Sequence, residues 1–294
     1  MSARTSVTAS SGLPSLVRSF RLSAWLGWQI ESNWADPFLF AVYSLVKPLA
    51  SVAILVVMYS VITGGDFESP MFTYMYIGNA FYLFVGQVMT GISWAVIDDR
   101  EHYKTLKYIY LTPLHFPTYL MGRGVAKFLV ASISVAVTLI VGFLFLDLQI
   151  VLTDVNWPLF IASLVIGIYM LAILGLILAS TMLLVAHHAF GVGDAVAGAL
   201  YLLCGAIFPL EVLPPFLRWI GYLLPITYWL ELIRRSLVGT VAGAFPTLQN
   251  LSDTQLLGIL LGLTVVFSVV SAVTYKRCEH VARERGLIDV VTNY

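Results

Sequence analysis

Six long apolar stretches dominate this sequence of 294 residues. A helix needs about 20 mostly apolar residues to cross the hydrocarbon core of a bilayer. Six windows meet that length between charged or turn-rich breaks, namely 37–62, 71–97, 124–146, 158–185, 193–210 and 255–275. Soluble domains carry about 25% charged residues, whereas the charged share here is 11%. The sequence therefore predicts an all-α, polytopic membrane protein with six transmembrane helices in a single domain, 1–294.

The lysines and arginines predict how the chain is oriented. An even number of spans places both termini on one side, and cytoplasmic loops carry an excess of Lys and Arg. Three such residues lie on the opposite side, namely Arg218, Arg234 and Arg235. Twelve lie on the side of the termini: Arg4, Arg18, Arg21, Arg100, Lys104, Lys107, Arg123, Lys127, Lys276, Arg277, Arg283 and Arg285. We expect a multi-pass protein of the plasma or inner membrane with cytoplasmic N- and C-termini.

Several kinds of chemistry have no support in the sequence. The net charge is zero, so there is no basic footprint for nucleic acid. No phosphate-binding Gly-x-x-x-x-Gly-Lys-Ser/Thr loop occurs, and the adjacent His187 and His188 lack the spacing of a zinc site. Cys204 and Cys278 are too few for a disulfide framework. We therefore predict no catalytic residue, no metal and no nucleotide bound by this chain.

Two charged residues and one amphipathic segment near the spans have alternative interpretations. Lys47 lies either deep in the first window or at the inner interface, if that span begins near Pro48. Asp194 either caps the start of the fifth window or relays protons. Residues 14–34 mix aromatic side chains with arginines, which is typical of an interfacial helix lying along the inner leaflet or of an aromatic anchor for the first span.

The second window places polar and small side chains on one helix face. Asn79, Tyr82, Gly86 and Thr90 recur at intervals of three or four, and Tyr201 belongs to a similar face of the fifth window. Close helix packing explains such faces without any ligand. The functional interpretation is a substrate path lined by the second and fifth helices.

Two long breaks between the windows have unusual compositions. Residues 98–113 alternate charged and apolar positions, which predicts a short cytoplasmic amphipathic helix; its mixed charges suit a protein partner better than lipid. Residues 205–239 are too apolar for a solvated loop, yet Pro209, Pro214, Pro215 and Pro225 prevent one continuous helix. We expect a re-entrant segment, 211–240, of short helices that closes the outer end of a pathway.

With these spans, the cytoplasmic helix and the outer segment, the chain resembles the permease subunit of ABC-2 type exporters. The outer part of the resemblance consists of Phe208-Pro209, Pro214, residues 224–228, Arg234 or Arg235, and Gly239. On the cytoplasmic side, similar permeases have a pattern like Glu-x-Gly-Thr-Leu-Glu followed by Ser/Thr-Pro, to which Glu101, Thr105, Leu106, Thr112 and Pro113 correspond, with Glu101 one residue ahead of the first acid. Two positions depart from the pattern, because Lys104 replaces the usual glycine and Lys107 the second acid.

The resemblance implies a dimer, expected to be a homodimer, that binds two copies of a separate ABC ATPase carrying ATP and Mg. The ATPase-coupling helix would contain Asp99, Arg100, Glu101, His102, Tyr103, Lys104, Thr105, Leu106 and Lys107. The outer gate would contain Phe208, Pro209, Pro214, Pro225, Tyr228 and Arg234. The cargo would be an amphipathic drug, lipid, lipid-linked sugar or polysaccharide leaving the cytoplasm. The alternatives are an ion-coupled secondary transporter or channel, which would need intramembrane acids or inverted repeats, and a non-transporting scaffold.

Overall fold

The computed structural model describes residues 13–32, 37–112, 114–146, 148, 153–185, 191–239 and 248–288. All regular elements in these ranges are helices, in agreement with the predicted all-α class. The predictions for Pro113, His187, His188 and the side chain of Lys47 lie outside the described residues.

Eleven α-helices are described within these ranges, and two short π segments join or extend them. The chain runs through α1 (Leu13–Ser32), α2 (Pro37–Thr63), α3 (Pro70–Phe84), the π segment Val85–Met89, α4 (Thr90–Ile97), the π segment Asp98–His102, α5 (Leu106–Leu111), α6 (Phe116–Phe145), α7 (Trp157–Leu184), α8 (Val192–Leu203), α9 (Pro215–Leu223), α10 (Pro225–Val238) and α11 (Asp253–Glu284). The segments from α3 to the second π segment form one continuous helix, Pro70–His102, which we name the central helix.

Four of the six predicted spans are helices long and apolar enough to cross a membrane, and the chain is a multi-pass membrane protein. They are the central helix, α6, α7 and α11. The two other windows coincide with shorter apolar helices, Pro48–Thr63 within α2, and α8.

The fifth window, predicted as 193–210, was too long. Helix α8 ends at Leu203, because Gly205 adopts a φ of +71° and Pro209 follows. A glycine in the left-handed region just after a helix is a common helix stop.

Three helices begin at local sequence signals. Ser69 accepts a hydrogen bond from the Met71 amide ahead of Pro70, which occupies the first helical position. Asn156 accepts from the Leu159 amide at the start of α7. Ser252 and Gln255 form a reciprocal capping box at the start of α11.

The central helix forms the core of the molecule. It is mostly buried and packs against α6, α7 and α10, whereas α11 keeps most of its apolar surface exposed. Helix α1 packs along α6, where Gly27 lies against the Arg123 backbone and Gly122 against Ser23. A side chain at Gly122 would collide with α1, whereas one at Gly27 would require the Arg123 backbone to shift slightly.

The two long breaks are largely helical rather than loops. The central helix continues to His102 and α6 begins at Phe116, so the third span starts eight residues before the predicted 124–146 window. Charged Arg123 thus lies inside a helix, which hydropathy alone did not predict. The predicted re-entrant segment consists of the 3-10 turn Leu210–Val212 followed by α9 and α10.

Candidate functional site

The segment predicted as one coupling helix, 98–113, is divided in two by a bend. Asp98–His102 is the last turn of the central helix, the chain bends after it, and α5 begins only at Leu106. The Tyr103 amide donates to the Asp98 carbonyl at 2.9 Å, and the Thr105 amide donates to the Asp99 carbonyl at 2.8 Å. The prediction of a single amphipathic helix over this range was therefore wrong.

Lys104 causes the bend through its backbone conformation. Its φ is +53°, in the left-handed region that side chains disfavour by about 1 kcal/mol or more. This is the position at which the resemblance led us to expect a glycine, the residue that adopts this conformation most readily. The departure from the family pattern therefore keeps the turn but makes it strained.

Asp99 lies inside the protein and joins the central helix to α6. It is 1% exposed. Its Oδ1 accepts a hydrogen bond from Arg123 Nη1 at 2.5 Å, and its Oδ2 accepts one from the Tyr119 hydroxyl at 2.9 Å. A buried carboxylate needs such partners, because its own desolvation is costly. Asp99 therefore holds helices together and does not present itself to a docking protein.

Arg100 joins the central helix to the end of α7. It is 2% exposed, and its Nη1 and Nη2 donate to the carbonyls of Met182 and Val185 at 3.1 and 2.9 Å. Its Nε donates to Glu101 at 2.9 Å. The last carbonyls of a helix have no partner within the helix. Arg100 thus stabilises the C-terminus of α7 while tying it to the coupling segment.

The remaining predicted coupling residues differ in exposure. Leu106 is buried, whereas Glu101 and Thr105 are partly buried. The exposed side chains are those of His102, Tyr103, Lys104 and Lys107, together with Tyr108, which the sequence reasoning missed. The Lys107 ammonium lies 5.2 Å from the centroid of the Tyr108 ring. We name these five residues the docking surface; it carries two lysines and two tyrosines.

The residues predicted to line a substrate path join the central helix to α8. The Tyr201 hydroxyl donates to Asn79 Oδ1 at 2.6 Å, the Tyr82 hydroxyl donates to the Ala197 carbonyl at 2.5 Å, and the two rings lie 4.7 Å apart. Thr90 bonds to the Gly86 carbonyl within the helix. These polar groups satisfy one another, as tight helix packing predicts. Gly86 differs, because a side chain added there would meet nothing within 4 Å.

Arg234 is the central residue of the predicted outer gate. It is 2% exposed and lies on α10. Its Nη2 donates to the carbonyls of Gly205 and Ala206 at 2.8 and 2.9 Å, and its Nε donates to the Tyr74 carbonyl at 3.2 Å. Its guanidinium also lies 3.6 Å from the centroid of the Tyr74 ring. One side chain therefore connects α10, the end of α8 and the central helix.

The other predicted gate residues shape the chain around Arg234. The Tyr228 hydroxyl donates to the Tyr222 carbonyl at 2.9 Å, which fixes α9 against α10. Pro225 is buried as the first residue of α10, and Pro214 is the exposed residue before α9. Pro209 is buried ahead of the 3-10 turn, and Phe208 is partly buried. The prolines thus separate the short elements, as the sequence predicts.

Glu231 and Arg235 extend this arrangement to α11. Arg235 Nε donates to Glu231 at 2.9 Å, and Nη1 donates to Asp253 at 3.2 Å and to the Leu251 carbonyl at 2.7 Å. The sequence offered Arg234 or Arg235 without distinguishing them. Arg234 lies three residues and Arg235 four residues after Glu231 on the same helix. This spacing is the signal that could have suggested an ion pair with Glu231.

Asp194 and the possible metal ligands are the remaining candidates. Asp194 lies in the first turn of α8 with an exposed side chain, where a carboxylate suits the helix dipole. Across the residues that the structure describes, no group of three or more His, Cys, Asp or Glu side chains could hold a metal ion.

These observations define a class of protein, a multi-pass helical membrane protein. Its central helix leads from the exposed bend at Lys104 to the buried Arg234, which lies in the segment of short helices separated by prolines. The family model of the ABC-2 type transporter matches residues 20–238, about three quarters of the chain. The chain therefore belongs to the ABC-2 type transporter family, whose permeases work with ABC ATPase partners. A search of curated proteins returned no match.

Proposed function

We propose that this chain is the permease subunit of an ABC exporter in the plasma or inner membrane, with both termini in the cytoplasm. It would pair with a second copy of itself and bind two copies of a separate ATPase, which would hold ATP and Mg. The cargo would be an amphipathic drug, lipid, lipid-linked sugar or polysaccharide. The observation that carries the proposal is the unbroken central helix, with the docking surface beyond one end and Arg234 at the other.

Movement of the docking surface would be transmitted to three helices together. The π turn Asp98–His102 continues the central helix, Asp99 is bound to Arg123 of α6, and Arg100 is bound to the end of α7. Because these contacts are buried, closure of the ATPase would move the three helix ends as one rigid body.

The same movement would reach the outer segment through the length of the central helix. Tyr74 and Arg100 are separated by about 39 Å of helix at 1.5 Å per residue. The Tyr74 carbonyl is held by Arg234, which also holds Gly205 and Ala206. A shift of the central helix therefore acts directly on α10 and on the end of α8, where we place the gate.

The composition of the docking surface indicates the kind of ATPase surface it binds. Lys104 and Lys107 are exposed, and they replace the glycine and acid expected from the resemblance. Complementary charge steers association and disfavours wrong partners. We therefore expect an acidic cleft on the partner ATPase.

An ion-coupled carrier is the alternative, and Glu231 is the residue it would use. Glu231 is 2% exposed, and its Oε2 has no hydrogen-bond partner among the described residues. However, its Oε1 is bound to Arg235, and the second buried acid, Asp99, is bound to Arg123. Buried acids committed to arginines are poor proton or ion carriers, which favours the ATP-driven mechanism.

The first test measures binding of the permease to a partner ATPase. The permease is co-expressed with the candidate ATPase, and binding is measured with the charge-reversal variants Lys104→Glu and Lys107→Glu. Each reversal should weaken binding by about tenfold, because a close interfacial charge pair contributes about 1.5 kcal/mol or more. Arg285→Glu, an exposed residue at the end of α11, is the matched control and should leave binding unchanged.

Transport in proteoliposomes separates the two mechanisms. The exporter mechanism requires ATP, the ATPase and the docking lysines for cargo movement. Cargo movement by this chain alone, driven by an ion gradient and abolished by Glu231→Gln, would overturn the proposal.

A further inference from the structure

A cavity of about 380 Å³ lies beside the coupling segment and is separate from the gate. It is bounded by α5, the start of α6 and the C-terminal half of α11. Its polar end includes Tyr110, His115, Lys276, Glu279 and Arg283. Neither the coupling contacts nor the gate contacts described above use these side chains.

Lys276 supplies an uncommitted positive charge at this cavity. Arg283 is bound to Glu279 at 2.6 Å, and its guanidinium lies 5.1 Å from the centroid of the Tyr110 ring. His115 Nδ1 lies 2.9 Å from the Thr118 hydroxyl. Lys276 is exposed and makes no ion pair with any residue that the structure describes. The charged side chains lining the cavity therefore sum to a net positive charge, carried by Lys276.

Tyr110 belongs to the closed wall of the cavity. Its ring stacks on Phe116 with centroids 4.9 Å apart, and its hydroxyl is buried. The accessible Lys276 ammonium can bind a phosphate group as a point charge.

The cavity continues into an apolar groove between α7 and α11. This groove has a volume of about 540 Å³, and Ser268 and Ala272 line both spaces. Its walls include the exposed side chains of Val165, Val265 and Val269. From Leu261 to Ala272 the groove follows α11 for about 16 Å, close to the depth of one leaflet, about 15 Å, in a hydrocarbon core of about 30 Å.

We propose that this composite site binds an anionic phospholipid, with its phosphate at Lys276 and one acyl chain in the groove. The charge lies at one end and the apolar wall at the other, in the order and over the length that a single leaflet lipid requires. Basic pockets between membrane helices bind anionic headgroups in this way. Binding does not depend on the transport function proposed above, although a lipid here would contact α5 next to the docking surface.

The experiment measures binding of phosphatidylglycerol and phosphatidylcholine to the purified full-length chain by native mass spectrometry. The parent should prefer the anionic lipid, and Lys276→Ala should weaken its binding by about fivefold, as expected for one lysine near a charged headgroup. Arg277→Ala, an exposed neighbour outside the cavity, is the matched control and should retain the preference.

A second pair of variants tests the groove. Val265→Trp should fill it and lower binding of both lipids, whereas Val270→Trp, exposed on α11 but outside the groove, should not. Equal losses from Lys276→Ala and Arg277→Ala would mean diffuse attraction and would overturn the site. Lipid binding that appears only after removal of residues 289–294 would assign the cavity to the chain's own end and would also overturn the proposal.

Discussion

Replacing Asp99 by asparagine tests whether the coupling segment is held by a buried ion pair. The substitution keeps the size of the side chain and leaves Arg123 buried without its closest acid. Breaking a buried pair by removing one partner costs about 3 to 5 kcal/mol. Asp98 Oδ2 remains 4.0 Å from Arg123 Nη2 and offsets part of the loss. We therefore expect the free energy of unfolding to fall by about 3 kcal/mol, the lower end of this range.

Three further variants, Asp98→Asn, Arg123→Met and the double variant Asp99→Asn/Arg123→Met, isolate the charge effect. Asp98→Asn removes the neighbouring acid, which is 30% exposed and more distant from Arg123, so it should cost less than about 1 kcal/mol. Asp99→Asn combined with Arg123→Met removes both buried charges. The double variant should be less destabilised than the sum of the single variants by about 2 kcal/mol, because neither charge is left alone.

Unfolding in mixed detergent micelles, followed by circular dichroism, measures all five proteins, the parent and the four variants. The Asp98→Asn variant should follow the parent, and the Asp99→Asn variant should unfold at clearly lower denaturant. If both single acid variants lost the same stability, or if the double variant lost the full sum, the ion pair would not be what holds α6 to the central helix.

Two matched pairs of glycine substitutions test the backbone conclusions with the same unfolding assay. Lys104→Gly should stabilise the protein by about 0.5 kcal/mol because it relieves the left-handed residue, whereas Lys107→Gly, within α5, should destabilise it by about 1 kcal/mol; equal effects would mean that the bend is not strained. Gly78→Ala should cost about 3 kcal/mol, because its methyl group would meet Arg234 and a backbone carbonyl. Gly86→Ala meets no neighbour and should gain about 0.5 kcal/mol as a better helix former; a comparable loss at both glycines would refute the close approach at Gly78.

Hydropathy predicted the helical class and four of the long spans because each is a continuous apolar run. It misplaced the start of the third span because Arg123 interrupts the run. Arg123 is nevertheless helical and is neutralised by Asp99, while Lys127, inside the predicted window, is bound to Glu31 of α1 at 2.6 Å. Such pairing depends on residues distant in sequence, which a local window does not include.

The coupling segment shows a different limit of sequence reasoning. The alternation of charged and apolar positions predicted one amphipathic helix, and α5 has that character. Periodicity could not show that Asp99 and Arg100 face inward, because the sequence does not distinguish a buried charged residue from an exposed one. Lys104 was recognised as a departure from glycine, but its consequence, a strained bend, depends on a backbone angle.

The contacts of Arg100 and Arg234 could not be predicted from residue patterns. Each donates to main-chain carbonyls where a helix ends, Arg100 at the end of α7 and Arg234 just beyond α8. Any residue supplies a carbonyl, so the acceptor positions carry no sequence signal. Carbonyls past the last turn of a helix are also the ones that lack internal partners. Helix ends are therefore natural attachment points, and Arg100 and Arg234 use them to tie α7 and the end of α8 to the central helix and to α10.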